Sequence, residues 1–327
     1  MRVRKYLPLL FLVVTAPAFG ASQDFEGWFG SLDLALTQPN SLDHQFANHV
    51  DFSGATPSTE RLVIDNDDSL AVRLSFGYSW GSKGMLRVSY WGFDNDDEVS
   101  DTLNGGVYPT IFGYGTNGGA YIYNSAGVDF EAASDVEASA WDVDYLRPME
   151  VGEKFTVKWL AGLRVANYDE TQSFEGTDGV YTYFQEKVIE SEAWGFRVGA
   201  GGTFEFTEHF ALEAGLAVSF MQAEADGNTI QECSAGSVCD GTETREGNDN
   251  NVRGEIRDYG VRAVWMFQPL DVYVGYSASN WDGLVTDPVP SNDAGHFAQG
   301  PVGSSGRDSI AFNAWNAGIR FRFGGGG

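Results

Sequence analysis

The chain has 327 residues and carries 46 acidic against 20 basic side chains, a formal net charge of −26. That balance argues against a nucleic-acid partner, which clustered Lys and Arg would have to hold, and it fits acidic surface loops whose field favours cations. With 41 glycines, 14% aromatic residues and no helix-forming pattern, the composition points to many strands and turns, in two soluble domains or one large barrel.

Residues 1–20 read as a secretory signal peptide. Arg2, Arg4 and Lys5 form a basic start, Leu9 to Val14 an apolar run, and Ala18 and Gly20 stand at −3 and −1 of a cut before Ala21. The remaining region, 21–327, has no run of ~20 apolar residues, so no transmembrane helix is expected in it. An exported chain of this kind crosses a membrane only as a closed β-barrel, which pairs every backbone group.

The segments that follow alternate with period two, as strands with two unlike faces do. Trp28, Leu32, Leu34 and Leu36 share one face of the first, opposite Ser31, Asp33 and Thr37. Leu70, Val72, Leu74, Phe76 and Tyr78 oppose Arg73, Ser75 and Gly77. A tight connection at 80–84 leads to Leu86, Val88 and Tyr90, set against Arg87 and Ser89. Trp141, Val143 and Tyr145 oppose Asp142 and Asp144, and a short link at 148–152 follows. Phe155, Val157, Trp159, Ala161, Leu163 and Val165 then alternate with Lys154, Thr156, Lys158, Gly162 and Arg164, the clearest such run in the chain. Trp194, Phe196, Val198 and Ala200 oppose Arg197, Gly199 and Gly201; after a turn at 207–209, Phe210 to Phe220 runs against Glu213, Gly215 and Ser219. Tyr259 to Phe267 surrounds Gly260 and Arg262, and a turn at 268–270 leads to Val272, Val274 and Tyr276.

The last segment sets Trp315, Ala317, Ile319, Phe321 and Phe323 against Asn316, Gly318, Arg320 and Arg322. One face is apolar and the other cationic, which suits lipid outside and a wet lumen inside. Asn316, Gly318, Phe321 and Phe323 together resemble the C-terminal signature by which bacterial outer-membrane barrels are recognised by their assembly machinery.

These ten segments are joined by four short links and five long ones, the long ones at 38–68, 94–133, 168–192, 223–254 and 282–308. Short and long links alternate, with both ends of the chain on the short side, as in outer-membrane barrels with short periplasmic turns and long external loops. The expected fold is therefore all-β, an antiparallel up-and-down transmembrane barrel of about ten strands, within a range of 8–12. A further hairpin around Tyr121 and Tyr123 would raise the count. The long links read as structureless acidic loops, with carboxylates concentrated at 65–68, 94–98, 224–226 and 243–249.

The lumen implied by the polar faces mixes both signs. Asp33, Asp142, Asp144, Glu213 and Asp258 face Arg73, Arg87, Lys158, Arg164, Arg197, Arg262, Arg320 and Arg322. Such residues either pair across a narrow interior or line a water-filled passage with a transverse field. The inward glycines Gly162, Gly199, Gly201, Gly215 and Gly260 favour open space or mark strand bends. Trp28, Tyr78, Trp80, Tyr90, Trp91, Tyr145, Trp194, Trp265, Trp281 and Trp315 stand near segment ends and read as interfacial belts.

Cys233 and Cys239 have five residues between them in a polar stretch and read as a local disulfide in an oxidising compartment. Gly113, Gly115 and Gly118 satisfy a dinucleotide-binding spacing, but Gly119-Ala-Tyr-Ile-Tyr follows instead of a helix, so the stretch reads as a glycine-rich loop and no cofactor is expected. The run Asp94 to Glu98 lacks the glycine and glutamate of a calcium loop and reads as a solvated charge run, with a weak divalent site bridging to lipopolysaccharide as the other reading. His44, His49, His209 and His296 have no nucleophile tied to them by a motif, so no enzymatic activity is expected.

The block Trp141-Asp-Val-Asp-Tyr-Leu-Arg-Pro148, followed by Trp159-Leu-Ala-Gly-Leu-Arg-Val-Ala166 and Trp194-Gly-Phe-Arg-Val-Gly-Ala-Gly-Gly202, resembles the Legionella-type major outer-membrane protein family. The resemblance implies a pore-forming outer-membrane barrel and transfers no catalytic residues. The expected role is a porin-like passage for small hydrophilic solutes or ions, embedded in outer-membrane lipid. The alternative is a non-conducting barrel that acts through its long acidic segments.

Overall fold

The computed structural model describes residues 25–40, 44–51, 58–64, 68–109, 122–234, 241–267, 269–286 and 307–323. Residues 1–20, expected to be a signal peptide, the glycine stretch at 113–118, Cys239 and His296 lie outside them. The described residues form twelve strands: β1 (Glu26–Asn40), β2 (His44–Asp51), β3 (Ser58–Ile64), β4 (Ser69–Trp80), β5 (Met85–Pro109), β6 (Ile122–Gly152), β7 (Phe155–Thr177), β8 (Thr182–Thr207), β9 (Phe210–Cys233), β10 (Gly241–Phe267), β11 (Leu270–Thr286) and β12 (Arg307–Phe323). Ten of them close a ring in the order β1-β4-β5-β6-β7-β8-β9-β10-β11-β12. The closing pair is β12 on β1, antiparallel, from Trp28 opposite Phe323 to Asn40 opposite Ala311. The ring has no free edge, so every strand finds a ladder on both sides.

Outward side chains form one apolar band. On β7 it runs from Phe155 to Val165, about 34 Å of extended chain. At the ~45° tilt usual for such barrels this is close to a 25 Å hydrocarbon band. Trp28, Trp80, Phe267 and Phe323 bound the band at the short-turn end, and Trp141, Trp194, Tyr259 and Trp315 bound it at the other; all are exposed. Two residues expected in these belts are not there. Trp91 and Trp281 are 8% and 2% exposed and point inward, meeting Phe312 at 5.2 and 5.7 Å between ring centroids. Tyr90 faces outward, and period-two geometry then turns Trp91 inward.

The short turns lie where expected; the first is a 3-10 turn at Gly81–Lys83, closed by Trp80 N–H on the Gly84 carbonyl at 2.8 Å. The long excursions differ from expectation. Where described, they are paired strand: β7 and β8 stay in register out to Thr177 opposite Thr182, and β9 and β10 stay paired, across a register shift between Asp249 and Val252, out to Cys233 opposite Gly241. Extended polar chain in water has no reason to stay open when a neighbouring strand can satisfy its backbone. The wall therefore rises well beyond the upper aromatic ring on the side of β5 to β10. The first excursion folds into the β2–β3 hairpin, and β2 pairs with the far end of β5. Cys233, at the end of β9, is disulfide-bonded.

Candidate functional site

Inward side chains fill the barrel in layers. Toward the short turns an apolar cluster of Phe29, Met85, Leu146 and Leu160 sits beside the lowest members of a layer of charge, Phe29 standing opposite Arg322. Beyond it lie the Trp91, Phe93, Trp281 and Phe312 rings, set against alanines such as Ala138, Ala140, Ala166 and Ala223. Asn95, Ser134, Glu170 and Ser191 form a buried polar level beyond these rings, with Tyr168 donating to Glu170 at 2.7 Å. A second apolar cluster closes the far end, where Ala47 and Ile64 of the β2–β3 hairpin pack with Phe130, Phe174 and Tyr183.

The charged layer contains all thirteen charged residues expected to face the lumen, each no more than 9% exposed. Arg164 forks onto Asp142, with Nε and Nη2 donating at 2.6 and 2.9 Å, and its Nη1 lies 2.9 Å from Asp258. Arg197 pairs with Asp142, lies 3.5 Å from Asp144 and donates to Asp258 at 2.8 Å. Arg87 bonds Asp144 at 2.5 Å. Arg262 pairs with Glu213 and stacks 4.4 Å from the centre of the Tyr273 ring. Arg320 and Arg322 both bond Asp271, and Tyr273 donates its hydroxyl to Asp33. Arg73 and Lys158 are buried in the same layer.

Asp271 and Tyr273 escaped the sequence reading, although outward Val272 and Val274 imply that both face inward. Two inward glycines do not mark open space. A Cβ on Gly162 would strike Asp144 and the Val143 carbonyl, and one on Gly318 would lie 2.6 Å from the Tyr273 ring. These positions lack a side chain because a neighbour occupies that volume.

A second charged feature lies outside the wall, just beyond the upper aromatic ring. Here carboxylates stand directly opposite one another: Asp94 and Glu137, Asp96 and Asp135, Glu137 and Asp169, Asp169 and Glu190, Glu192 and Glu224. Like charges directly opposite oppose strand pairing. Partial burial, then the charges of Asp94 and Asp96, push the Asp135 carboxyl above its usual range. Partial burial, then Glu190, Glu137 and Glu192, do the same to Asp169. Carboxylate oxygens of Asp94, Asp135 and Glu137 all lie within 4.8 Å of one another, a spacing that suits one divalent cation. Of the histidines, His49 bonds the Asn104 carbonyl at 2.8 Å and His209 sits in the exposed β8–β9 turn, at opposite ends of the barrel.

A family model described as Legionella pneumophila major outer membrane protein precursor matches residues 29–306. Among solved structures, the outer membrane protease OmpT from Escherichia coli superposes with a TM-score of 0.51 at 11% identity, covering 91% of this chain and 97% of that one. At that identity the likeness speaks for the fold alone. The Pseudomonas putida toluene transporter TodX is more remote, with a TM-score of 0.35 at 9% identity, 91% of this chain and 90% of that chain being covered. No curated protein matches the chain.

Proposed function

The chain belongs to the Legionella pneumophila major outer membrane protein family and resides in the outer membrane, and from that premise we propose a non-conducting barrel that works through its extracellular wall. One observation carries the reading: Arg164 and Arg197, 2% and 0% exposed at the side chain, both reach across the lumen to Asp258, and Arg197 also reaches Asp142 two strands away, while Arg164 holds Asp142 on the adjacent strand. A hydrated ion needs a continuous column of water. Here it would have to part buried ion pairs, and stranding one such partner costs about 3–5 kcal/mol. The porin-like reading draws on the same polar layer, whose mixed charge would suit hydrophilic solutes, but the packing of that layer weighs against it.

In this reading the extracellular wall meets its surroundings through the carboxylate belt. The belt stands just outside the hydrocarbon band, at the level where phosphate groups of lipopolysaccharide are expected. Divalent cations held by Asp94, Asp135 and Glu137 would neutralise the belt and bridge it to those phosphates. The terminal strand, through Asn316, Gly318, Phe321 and Phe323, serves as the signal read by the assembly machinery. No catalytic role is assigned.

Single-channel recording of the refolded chain in a planar bilayer tests the proposal. The expected record is flat for the natural sequence, with steps appearing in an Arg164→Ala/Arg197→Ala variant. Reproducible unitary openings of the natural sequence would overturn it and restore the porin reading.

A further inference from the structure

The interior holds more positive charge than its own carboxylates answer. Among the described residues, eight buried cations stand in the charged layer against six carboxylates, those of Asp33, Asp142, Asp144, Glu213, Asp258 and Asp271. The surplus is concentrated near the periplasmic turns, on β10 and β12 with Lys158 of β7. There Lys158, Arg262, Arg320 and Arg322 share two carboxylates, Glu213 and Asp271. Asp271 Oδ2 accepts from Arg320 Nε at 2.7 Å and from Arg322 Nη2 at 2.5 Å. Glu213 takes Arg262 on Oε2, while its Oε1 lies 3.5 Å from Arg320.

Sharing leaves donors over. Arg262 Nη1, Arg320 Nη1 and Arg322 Nε are buried with no acceptor among the described residues, against a single unpartnered acceptor on these two carboxylates, Asp271 Oδ1. Water can satisfy an orphan N–H, but it does not neutralise a charge removed from bulk solvent, and an unanswered buried charge is costly. A small anion does both. Guanidinium groups match the flat edge of an oxyanion with two parallel N–H donors. Access comes from the periplasm, because Arg322 is the penultimate residue of β12 and its N–H bonds the Pro269 carbonyl beside the β10–β11 turn, at 3.0 Å.

We propose that this arginine cluster, Arg262, Arg320 and Arg322 with Lys158, is a periplasm-facing binding site for a small inorganic oxyanion. The site does not depend on whether the barrel conducts. The test is calorimetric titration of the refolded full chain with inorganic phosphate, at ionic strength held constant with sodium chloride. Saturable uptake at one site is expected. Arg322→Met should weaken it at least tenfold. Asp271→Asn should tighten it at least threefold, because both arginines then lose their internal counter-charge. If Arg322→Met does not fold, Arg322→Lys keeps the charge without the fork and should weaken uptake by a smaller factor. No saturable uptake by the natural sequence, or equal weakening in the Arg322 and Asp271 variants, would overturn the assignment.

Discussion

Arg197 of β8 donates to Asp258 of β10 at 2.8 Å and so ties two strands that are not neighbours in the ring. Because Arg197 also pairs with Asp142 of β6, one guanidinium links three strands through the lumen rather than along the wall. Backbone ladders fix only adjacent strands, so such cross-links add rigidity that pairing alone does not supply. They also occupy the lumen, since the groups that stiffen the barrel are the ones that fill it.

Replacing Arg197 by Met should therefore strand Asp258 and Asp142 with Arg164 as their shared partner. The expected loss is on the order of 3–5 kcal/mol, the usual cost of breaking a buried pair from one side. Arg197→Met combined with Asp258→Asn should cost less than the single change, because fewer buried carboxylates are left unanswered. Urea unfolding of the refolded protein in lipid vesicles reads both. A single-variant cost below about 1 kcal/mol would show that the layer is hydrated enough to screen its charges.

The contact between Gly318 and Tyr273 separates packing from recognition in the terminal strand. A methyl group at Gly318 would press on the Tyr273 ring at 2.6 Å. Gly318→Ala should destabilise the folded barrel by about 1–3 kcal/mol, the usual cost of overpacking. In a Tyr273→Leu background most of that loss should vanish. If instead Gly318→Ala blocks insertion in cells in either background, the glycine acts through the assembly machinery and not through its neighbour.

Much of this architecture was legible because lipid and lumen impose opposite chemistry on alternate residues. Phe155 to Val165 face lipid while Lys158 and Arg164 face inward, and that contrast both marks β7 and assigns its faces. Beyond the upper aromatic ring the contrast disappears. Glu131 and Asp135 point outward and Ser134 inward, so polar residues occupy both faces and the segment reads as loop although it is strand. Trp91 and Trp281 were misplaced because an aromatic near a strand end looks the same whether it anchors in an interface or plugs a lumen; counting from Tyr90 and Tyr276 would have corrected both. Which arginine meets which carboxylate depends on the stagger of ten strands, and no single segment encodes that.

The outer carboxylate belt should respond to calcium. Extracellular calcium sites have dissociation constants on the order of 10⁻³ M, so about 10 mM calcium should stabilise the wall by about 1.4 kcal/mol through mass action. The unfolding midpoint of the refolded protein should rise accordingly, and the rise should vanish in Asp94→Asn/Asp135→Asn/Glu137→Gln. Magnesium demands tighter octahedral geometry and should do less. An equal rise in the triple variant would place the effect in general screening of the net charge rather than at these three residues.

Acid should firm up the same wall in the absence of divalent cations. Asp135 and Asp169 are held above their ordinary value of 3.8 when folded, by partial burial and by neighbouring carboxylates. Below 3.8 both forms are protonated and the groups contribute no difference. As pH rises from there, the unfolded strand releases its protons first, the folded state binds more, and stability falls until the folded groups have ionised too. Above that window the cost stays constant. Amide exchange in a chelating buffer, corrected for intrinsic rates, should thus show stronger protection at Val136 and Tyr168 near pH 4 than near pH 7, with Leu163 in the lipid band unchanged. Asp135→Asn/Asp169→Asn removes both proton-binding groups and should flatten the difference. If protection at Val136 is independent of pH in the natural sequence, the like-charge pairs are already relieved by outward rotation into solvent, and the belt has no need of a cation.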